Sequence, residues 1–255
     1  MSSGFLSICD INSIKFDSDK NLFHGVLDIG KYSLLSSSNI YGVCLEGVNQ
    51  FCVRACYVLN SERSLETDGR ILPAQIEQFE INITDVSEND TLHTVAEINI
   101  VSYFYRINGK IFKSDGSYVG QFAIKACSIK SVPTDNSTYN NQYNKILTDF
   151  IHCYDEEVIN NNSIRANFIF LEDSFLAHEH FPGIPILPAS QSVFLCISLL
   201  NRMVNYHVRC VSKFSLTLPI KAGVVYTIKI DKKKDSLYLI EINSHDNIYV
   251  RGYLC

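Results

Sequence analysis

A histidine in a proline-rich segment is the strongest chemical feature of the sequence. His180 opens the run His-Phe-Pro-Gly, and Pro185 and Pro188 follow within the next eight residues. Each proline ring fixes φ, and each residue before a proline is pushed away from helical geometry, so we predict a stiff loop. An imidazole titrates near neutral pH, which suits a general base held on such a loop.

The residues after the loop predict a buried helix. Ala189 to Asn205 is apolar on nearly every face, as is typical of a helix that packs on more than one side. The start of a helix carries unsatisfied N–H groups and a partial positive charge. We therefore expect this helix to present its N-terminus to a substrate oxygen, next to the histidine.

Composition limits the classes of function. The 255 residues are 46% hydrophobic and 19% charged, with a formal net charge of −5, which favours a folded chain that does not bind nucleic acid. We expect no signal peptide and no membrane span, because the apolar runs are short. The nine cysteines include no Cys-x-x-Cys pair, and we interpret them as small buried hydrophobes in a reducing cytoplasm.

A metal site is not expected. His178 and His180 form an HxH pair, but no third ligand follows at a suitable spacing.

The order strand, loop, apolar helix and several strands occurs twice along the chain. The first helix is predicted at Ile40 to Leu59, and the Asn-rich stretch 131–147 is the best linker. A tight turn is predicted at Asn108-Gly109 and a short helix at Leu147 to Ile159. The sequence thus favours an α+β fold with an N-terminal domain at 1–130 and a C-terminal domain at 148–255.

The run His-Phe-Pro-Gly-x-Pro-x-x-Pro before an apolar helix resembles the hot-dog dehydratases of the FabZ and FabA type, which act on β-hydroxyacyl thioesters of acyl carrier protein. The resemblance implies two tandem hot-dog domains, each a curved antiparallel sheet around a long helix, joined as a pseudo-dimer. It implies that His180 is the catalytic base and that the Ala189 N–H binds the thioester carbonyl. We expect Phe181, Gly183 and Pro188 to contact substrate as well.

The acid of the family is missing from the second half. It lies fourteen residues after the histidine on the following helix, and here that position is Phe194. The first helix instead contains Leu45-Glu46-Gly47-Val48-Asn49-Gln50, which resembles the family's Leu-Glu-Ala-x-x-Gln. The resemblance implies that Glu46 is the catalytic acid, that Gln50 contacts substrate, and that one composite site joins Glu46 with His180.

The implied activity is dehydration of β-hydroxyacyl carrier-protein thioesters to trans-2-enoyl thioesters, in fatty-acid, polyene or polyketide-type biosynthesis. The partner is then acyl carrier protein, no cofactor is needed beyond its phosphopantetheine arm, and pseudo-dimers are able to form a homo-oligomer. Two alternatives stay open. One is a weak or inactive acyl-binding or assembly subunit, and the other is a hot-dog acyl thioesterase.

Overall fold

Two compact units make up the part of the chain that the structure describes. A computed structural model describes residues 8–32, 40–65, 69–87, 89–129, 151–160, 162–174, 185–204 and 208–255. The N-terminal unit contains the described residues up to 132 together with Arg209–Phe214. The C-terminal unit contains the described residues from 133 to Val208 together with Ser215–Cys255. The predicted linker, 131–147, lies outside the described residues.

Within the described residues, the N-terminal unit contains an antiparallel sheet and a long helix. Its strands follow the order β1-β2-β4-β5-β6-β3 across the sheet. In chain order the elements are β1 (Lys15–Asp17), β2 (Leu22–Asp28), α1 (Ile40–Glu62), β3 (Arg70–Ile81), β4 (Thr91–Val101), β5 (Phe104–Lys113) and β6 (Tyr118–Ile129). Short 3-10 turns lie at Ile11–Ser13, Ile29–Tyr32 and Ile83–Asp85.

Helix α1 lies against the sheet of its own unit and is buried over most of its length, as its apolar sequence predicts. Phe51 of α1 is completely buried, and its ring meets Phe122 of β6 edge-on with centroids 6.3 Å apart. A Cβ at Gly25 of β2 would lie 2.5 Å from the Phe51 ring. The glycine is therefore required for this close approach between the strand and the helix.

The C-terminal unit repeats the combination of sheet and helix. Strands β12, β11, β10, β8 and β7 are neighbours in that order, and each adjacent pair is antiparallel. The elements are β7 (Ile151–Asn160), β8 (Ser163–Phe170), α2 (Ala189–Val204), β9 (Cys210–Leu216), β10 (Val225–Lys234), β11 (Leu237–Ser244) and β12 (Asn247–Leu254). The first five residues of β9 group with the N-terminal unit. Helix α2 confirms the predicted core helix and buries Val193, Cys196 and Leu199 completely.

The short helix predicted at Leu147 to Ile159 is wrong in its described part, because Ile151–Asn160 is strand β7. It pairs with β8 from Ile151 opposite Phe170 to Asn160 opposite Ser163. The strand lies at the end of the sheet order and is mostly exposed, so its acidic side chains remain in water. Long-range pairing with an apolar neighbour thus overrides the local polar pattern.

The tight turn predicted at Asn108-Gly109 is also wrong. Both residues lie inside β5, and the chain reverses earlier, at Ser102, which has a φ of 57°. Gly109 is opposite Phe122, and a Cβ there would overlap the Phe122 ring. The glycine is present to admit an aromatic ring from the neighbouring strand, so it does not serve a turn.

The cysteines divide into two groups. Seven are free, and five of these are buried, which confirms the prediction of small buried hydrophobes for Cys44, Cys52, Cys56 and Cys196. Cys210 and Cys255 are disulfide-bonded, so the expectation of a uniformly reduced set is wrong for these two. Disulfides are rare in reducing compartments.

Candidate functional site

Glu46 is a buried carboxylate on an apolar helix. It lies in the second turn of α1, between the buried residues Leu45 and Gly47, and only 5% of it is exposed. A buried carboxylate is costly unless it is hydrogen-bonded or paired. Its surroundings therefore have to supply a polar partner, and this identifies the residues that position it.

Gln50 is one such partner, one helical turn further along α1. Its Nε2 donates a hydrogen bond of 3.0 Å to Glu46 Oε1. The other end of the amide is also engaged, because Gln50 Oε1 accepts from the backbone N–H of Ile8 at 3.0 Å and of Cys9 at 3.2 Å. Gln50 is thus fixed at both ends, and it fixes one oxygen of Glu46.

The segment that holds Gln50 is itself attached to β2. Asp10 N donates to Val26 O at 3.1 Å, and Asp28 N donates to Ile8 O at 2.9 Å. A Cβ at Gly47 would lie 2.8 Å from the Ile8 side chain, so the glycine of the helix motif lets this segment lie close to α1. The position of Glu46 therefore depends on a backbone segment about forty residues earlier in the sequence.

Arg54 extends the same face of α1 by another turn. Its guanidinium donates to the carbonyl of Cys9, so the Ile8–Asp10 segment is bound from both Gln50 and Arg54. Burial raises the pKa of the Cys9 thiol to about 11, against the opposing effect of Arg54. Residues 46, 50 and 54 form a polar row at four-residue spacing. Sequence reasoning did not assign Arg54 a role, although it is one of the few charges on the helix.

Two buried amide oxygens have no hydrogen-bond partner within the described residues. They are Asn49 Oδ1 on α1 and Gln191 Oε1 in the first turn of α2, on side chains that are 5% and 1% exposed. Buried polar atoms without a partner are uncommon in folded proteins. Neither residue was identified from the sequence, because an unsatisfied atom is a property of the packing.

At the start of α2 the first intrahelical hydrogen bonds converge on one carbonyl. Gln191 N and Ser192 N donate to the Pro188 carbonyl at 3.0 and 3.1 Å, so the Ala189 N–H precedes the first intrahelical donor. The preceding turn is held in place, because Leu187 N donates to Ile220 O at 2.9 Å and Ala222 N donates to Pro185 O at 3.0 Å. Pro188 is buried, and Ala189 is half-buried.

Three of the residues singled out from the sequence, His180, Phe181 and Gly183, lie outside the described residues. Phe194 is half-buried on α2, and the sequence of α2 contains no aspartate or glutamate. The structure brings Glu46 and Gln50 together, and it places Pro188 and Ala189 side by side at the start of α2.

Across the described ranges, no group of three or more His, Cys, Asp or Glu side chains is arranged to hold a metal ion. Among the described residues, no helix, α1 and α2 included, is both long and apolar enough to cross a membrane.

No protein-family model and no curated protein matches the sequence. Solved structures do match. An acyl-ACP thioesterase from Bacteroides thetaiotaomicron matches with a TM-score of 0.60 at 9% sequence identity. The match covers 93% of this chain and 98% of the thioesterase chain. A 12:0-ACP thioesterase from Umbellularia californica has a TM-score of 0.53 at 8% identity, over 91% and 96%. An acyl-CoA thioesterase II from Mycobacterium marinum has a TM-score of 0.52 at 7% identity, over 96% and 93%.

These neighbours are hot-dog proteins. The chain has a hot-dog fold. The antiparallel sheets and the two long helices described above fit this hot-dog architecture. At sequence identities below 25%, a structural match supports a shared fold and nothing further. The chemistry of this hot-dog protein therefore has to be argued from its own residues.

Proposed function

We propose that the protein is a double hot-dog dehydratase that converts β-hydroxyacyl thioesters of acyl carrier protein to trans-2-enoyl thioesters. The observation that supports this best is the buried Glu46, which is held on α1 by Gln50 at 3.0 Å. The corresponding position on α2 is Phe194, and that helix contains no acid. A buried acid on α1 and a His-Phe-Pro-Gly histidine before α2 would give one composite site, with Glu46 as acid and His180 as base.

The elimination assigns a separate task to each group. His180 removes a proton from the carbon next to the thioester carbonyl, and the developing oxyanion accepts a hydrogen bond from the Ala189 N–H. The bond between the β-carbon and the hydroxyl breaks as Glu46 donates a proton to that oxygen, which releases water and leaves the 2-enoyl thioester. Gln50 donates to one carboxyl oxygen of Glu46 and so holds the group in one orientation.

The partner in this proposal is acyl carrier protein, and Phe181, Gly183 and Pro188 line the path of the acyl thioester. The reaction needs no cofactor, because water is lost without a change of oxidation state. Two of the structural neighbours are acyl-ACP thioesterases by name, which supports a carrier-protein thioester as the substrate class.

A hot-dog thioesterase is the second candidate. The observation in its favour is the match along nearly the whole chain to acyl-ACP and acyl-CoA thioesterases. In that reaction Glu46 would act as a base on water, and the products would be a free acid and a free thiol.

The deciding experiment uses β-hydroxyacyl carrier proteins of several chain lengths, intact mass spectrometry and a thiol assay. Wild type is compared with Glu46→Gln, with His180→Ala and with the control Glu80→Gln. Glu80 is exposed and accepts from Gln121 Nε2 at 3.0 Å, so it forms a solvent-exposed Gln–Glu pair. We expect wild type and the control to lose one water from the substrate. The dehydration rates of Glu46→Gln and His180→Ala should be lower by a factor of about 100 or more.

Other outcomes identify the alternatives. Release of free carrier protein, with a rise in free thiol, would show that the activity is that of a thioesterase and not of a dehydratase. Binding of the acylated carrier protein without either product would favour an acyl-binding subunit. Dehydration that continues at the wild-type rate in Glu46→Gln would show that the acid lies elsewhere.

A further inference from the structure

Asn49 lies beside Glu46 on α1. The two residues are three positions apart, so their side chains share one face of the helix. Each is only 5% exposed. Glu46 is hydrogen-bonded by Gln50, whereas Asn49 Oδ1 has no partner among the described residues. Asn49 therefore offers a buried hydrogen-bond acceptor to a ligand, next to the proposed catalytic acid.

The unsatisfied oxygen is not required by the fold. Asn60, on the same helix and 2% exposed, has both ends of its amide engaged with the hydroxyl of Tyr105, at 2.9 and 3.1 Å. A buried asparagine on α1 is thus able to satisfy its hydrogen bonds inside the protein. An apolar side chain would fill position 49 without leaving an unpaired oxygen, and keeping the amide there has a free-energy cost.

The chemistry of an acyl thioester limits which donor is able to fill this position. The thioester carbonyl is an acceptor, and the alkyl chain offers only C–H groups. The amide N–H groups of a pantetheine arm are separated from the reacting carbons by the sulfur and two methylenes. A β-hydroxyl is the donor closest to the carbons at which Glu46 acts.

We propose that Asn49 Oδ1 accepts a hydrogen bond from the β-hydroxyl of the substrate, and thereby selects β-hydroxyacyl over unsubstituted acyl thioesters. The hydroxyl oxygen then accepts from Glu46 while its hydrogen points to Asn49. This rests on the proposed function, since it assigns the hydroxyl to the α1 site. A site built to hydrogen-bond a substrate hydroxyl rejects the analogue that lacks it, because the buried polar group is left unpaired.

The same contact separates substrate from product. The 2-enoyl product has lost the hydroxyl, so it offers Asn49 no donor. Asn49 therefore favours binding of the substrate over binding of the product, which assists product release in the forward direction.

The test uses two unreactive ligands that differ only in the hydroxyl. They are pantetheine thioethers with a 3-hydroxyalkyl chain or an alkyl chain of the same length. Neither has a carbonyl, so neither is dehydrated or hydrolysed. Dissociation constants are measured for wild type, for Asn49→Leu and for the control Asn60→Leu, which makes the same change on the same helix.

We expect wild type and Asn60→Leu to bind the hydroxyalkyl ligand about 10-fold more tightly than the alkyl ligand, as for one hydrogen bond. Asn49→Leu should lose this preference and bind the alkyl ligand at least as tightly as wild type. Equal binding of the two ligands by wild type, binding of neither, or an unchanged preference in Asn49→Leu would each overturn the proposal. The ligands do not react, so this result is independent of whether the protein dehydrates β-hydroxyacyl thioesters.

Discussion

Gln50 donates a hydrogen bond of 3.0 Å to Glu46 and at the same time accepts two hydrogen bonds, from the backbone N–H groups of Ile8 and Cys9. The side chain therefore connects the proposed acid to a segment anchored on β2. Its amide is engaged by the protein on both sides, so we expect it to act in the proposed reaction by holding Glu46 in one orientation.

Replacement of Gln50 should affect the reaction through Glu46. We expect Gln50→Leu to lower kcat about 10- to 100-fold with little change in KM, because misorientation of a catalytic group lowers the rate of the chemical step. Steady-state dehydration kinetics would measure kcat and KM separately, and a loss confined to kcat is the result expected for a positioning residue.

Gln78→Leu is the matched control. Gln78 Nε2 lies 3.4 Å from Glu80 on the exposed face of β3, so this variant removes a Gln–Glu contact away from the candidate site. An equal loss of activity in both variants would contradict the positioning role of Gln50.

The two buried asparagines of α1 should respond in opposite directions to the same substitution. Asn49→Leu removes an oxygen without a partner among the described residues, so we expect the free energy of unfolding to rise by about 1 kcal/mol. Asn60→Leu leaves the Tyr105 hydroxyl unpaired and should lower it by about 1 to 3 kcal/mol. Urea denaturation of the two variants checks both signs, and destabilisation by Asn49→Leu would show that its amide supports the fold.

The thiols should be unreactive in the folded protein. Burial raises the pKa of Cys44 to about 12 and, against the opposing effect of Arg54, that of Cys9 to about 11, so little thiolate is present at neutral pH. In denaturant without reductant we expect seven thiols to react with a thiol reagent, and nine after reduction. Nine reactive thiols before reduction would show that Cys210 and Cys255 are not disulfide-bonded.

Asp90 should make stability depend on pH. The Ser87 N–H donates to its carboxylate at 2.9 Å, and this hydrogen bond, together with Lys113 at 3.2 Å, lowers the pKa of Asp90 below its ordinary value of 3.8. A lowered carboxylate pKa stabilises the fold above the unfolded-state value, and the contribution is lost as pH falls through the folded-state value.

Asp90→Asn should therefore lower the free energy of unfolding at neutral pH by less than about 1 kcal/mol, since the group is near the surface. The difference in the free energy of unfolding between Asp90→Asn and wild type should disappear as the pH falls below 3.8. Urea denaturation at a series of pH values provides the measurement. A difference that stays constant over this range would mean that the charge of Asp90 does not contribute.

Periodicity in the sequence predicted the long helices, because α1 and α2 are apolar over many consecutive turns. The spacing of Glu46 and Gln50 was also readable, since i and i+4 residues are neighbours on any helix. The contacts of Gln50 with Ile8 and Cys9 were not, because they depend on where a distant segment crosses the helix. The error at Gly109 has the same cause, since the residue that requires the glycine is Phe122 on another strand.

The hydrogen bonds from Ile8 and Cys9 to Gln50 give the site two spectroscopic reporters. A ligand that displaces Gln50 would alter the shielding of both backbone amides without contact between ligand and segment. Their resonances in a ¹⁵N-correlated spectrum should therefore move together during a titration with substrate. The occupancy of the candidate site is thus readable from two amides that carry no functional side chain.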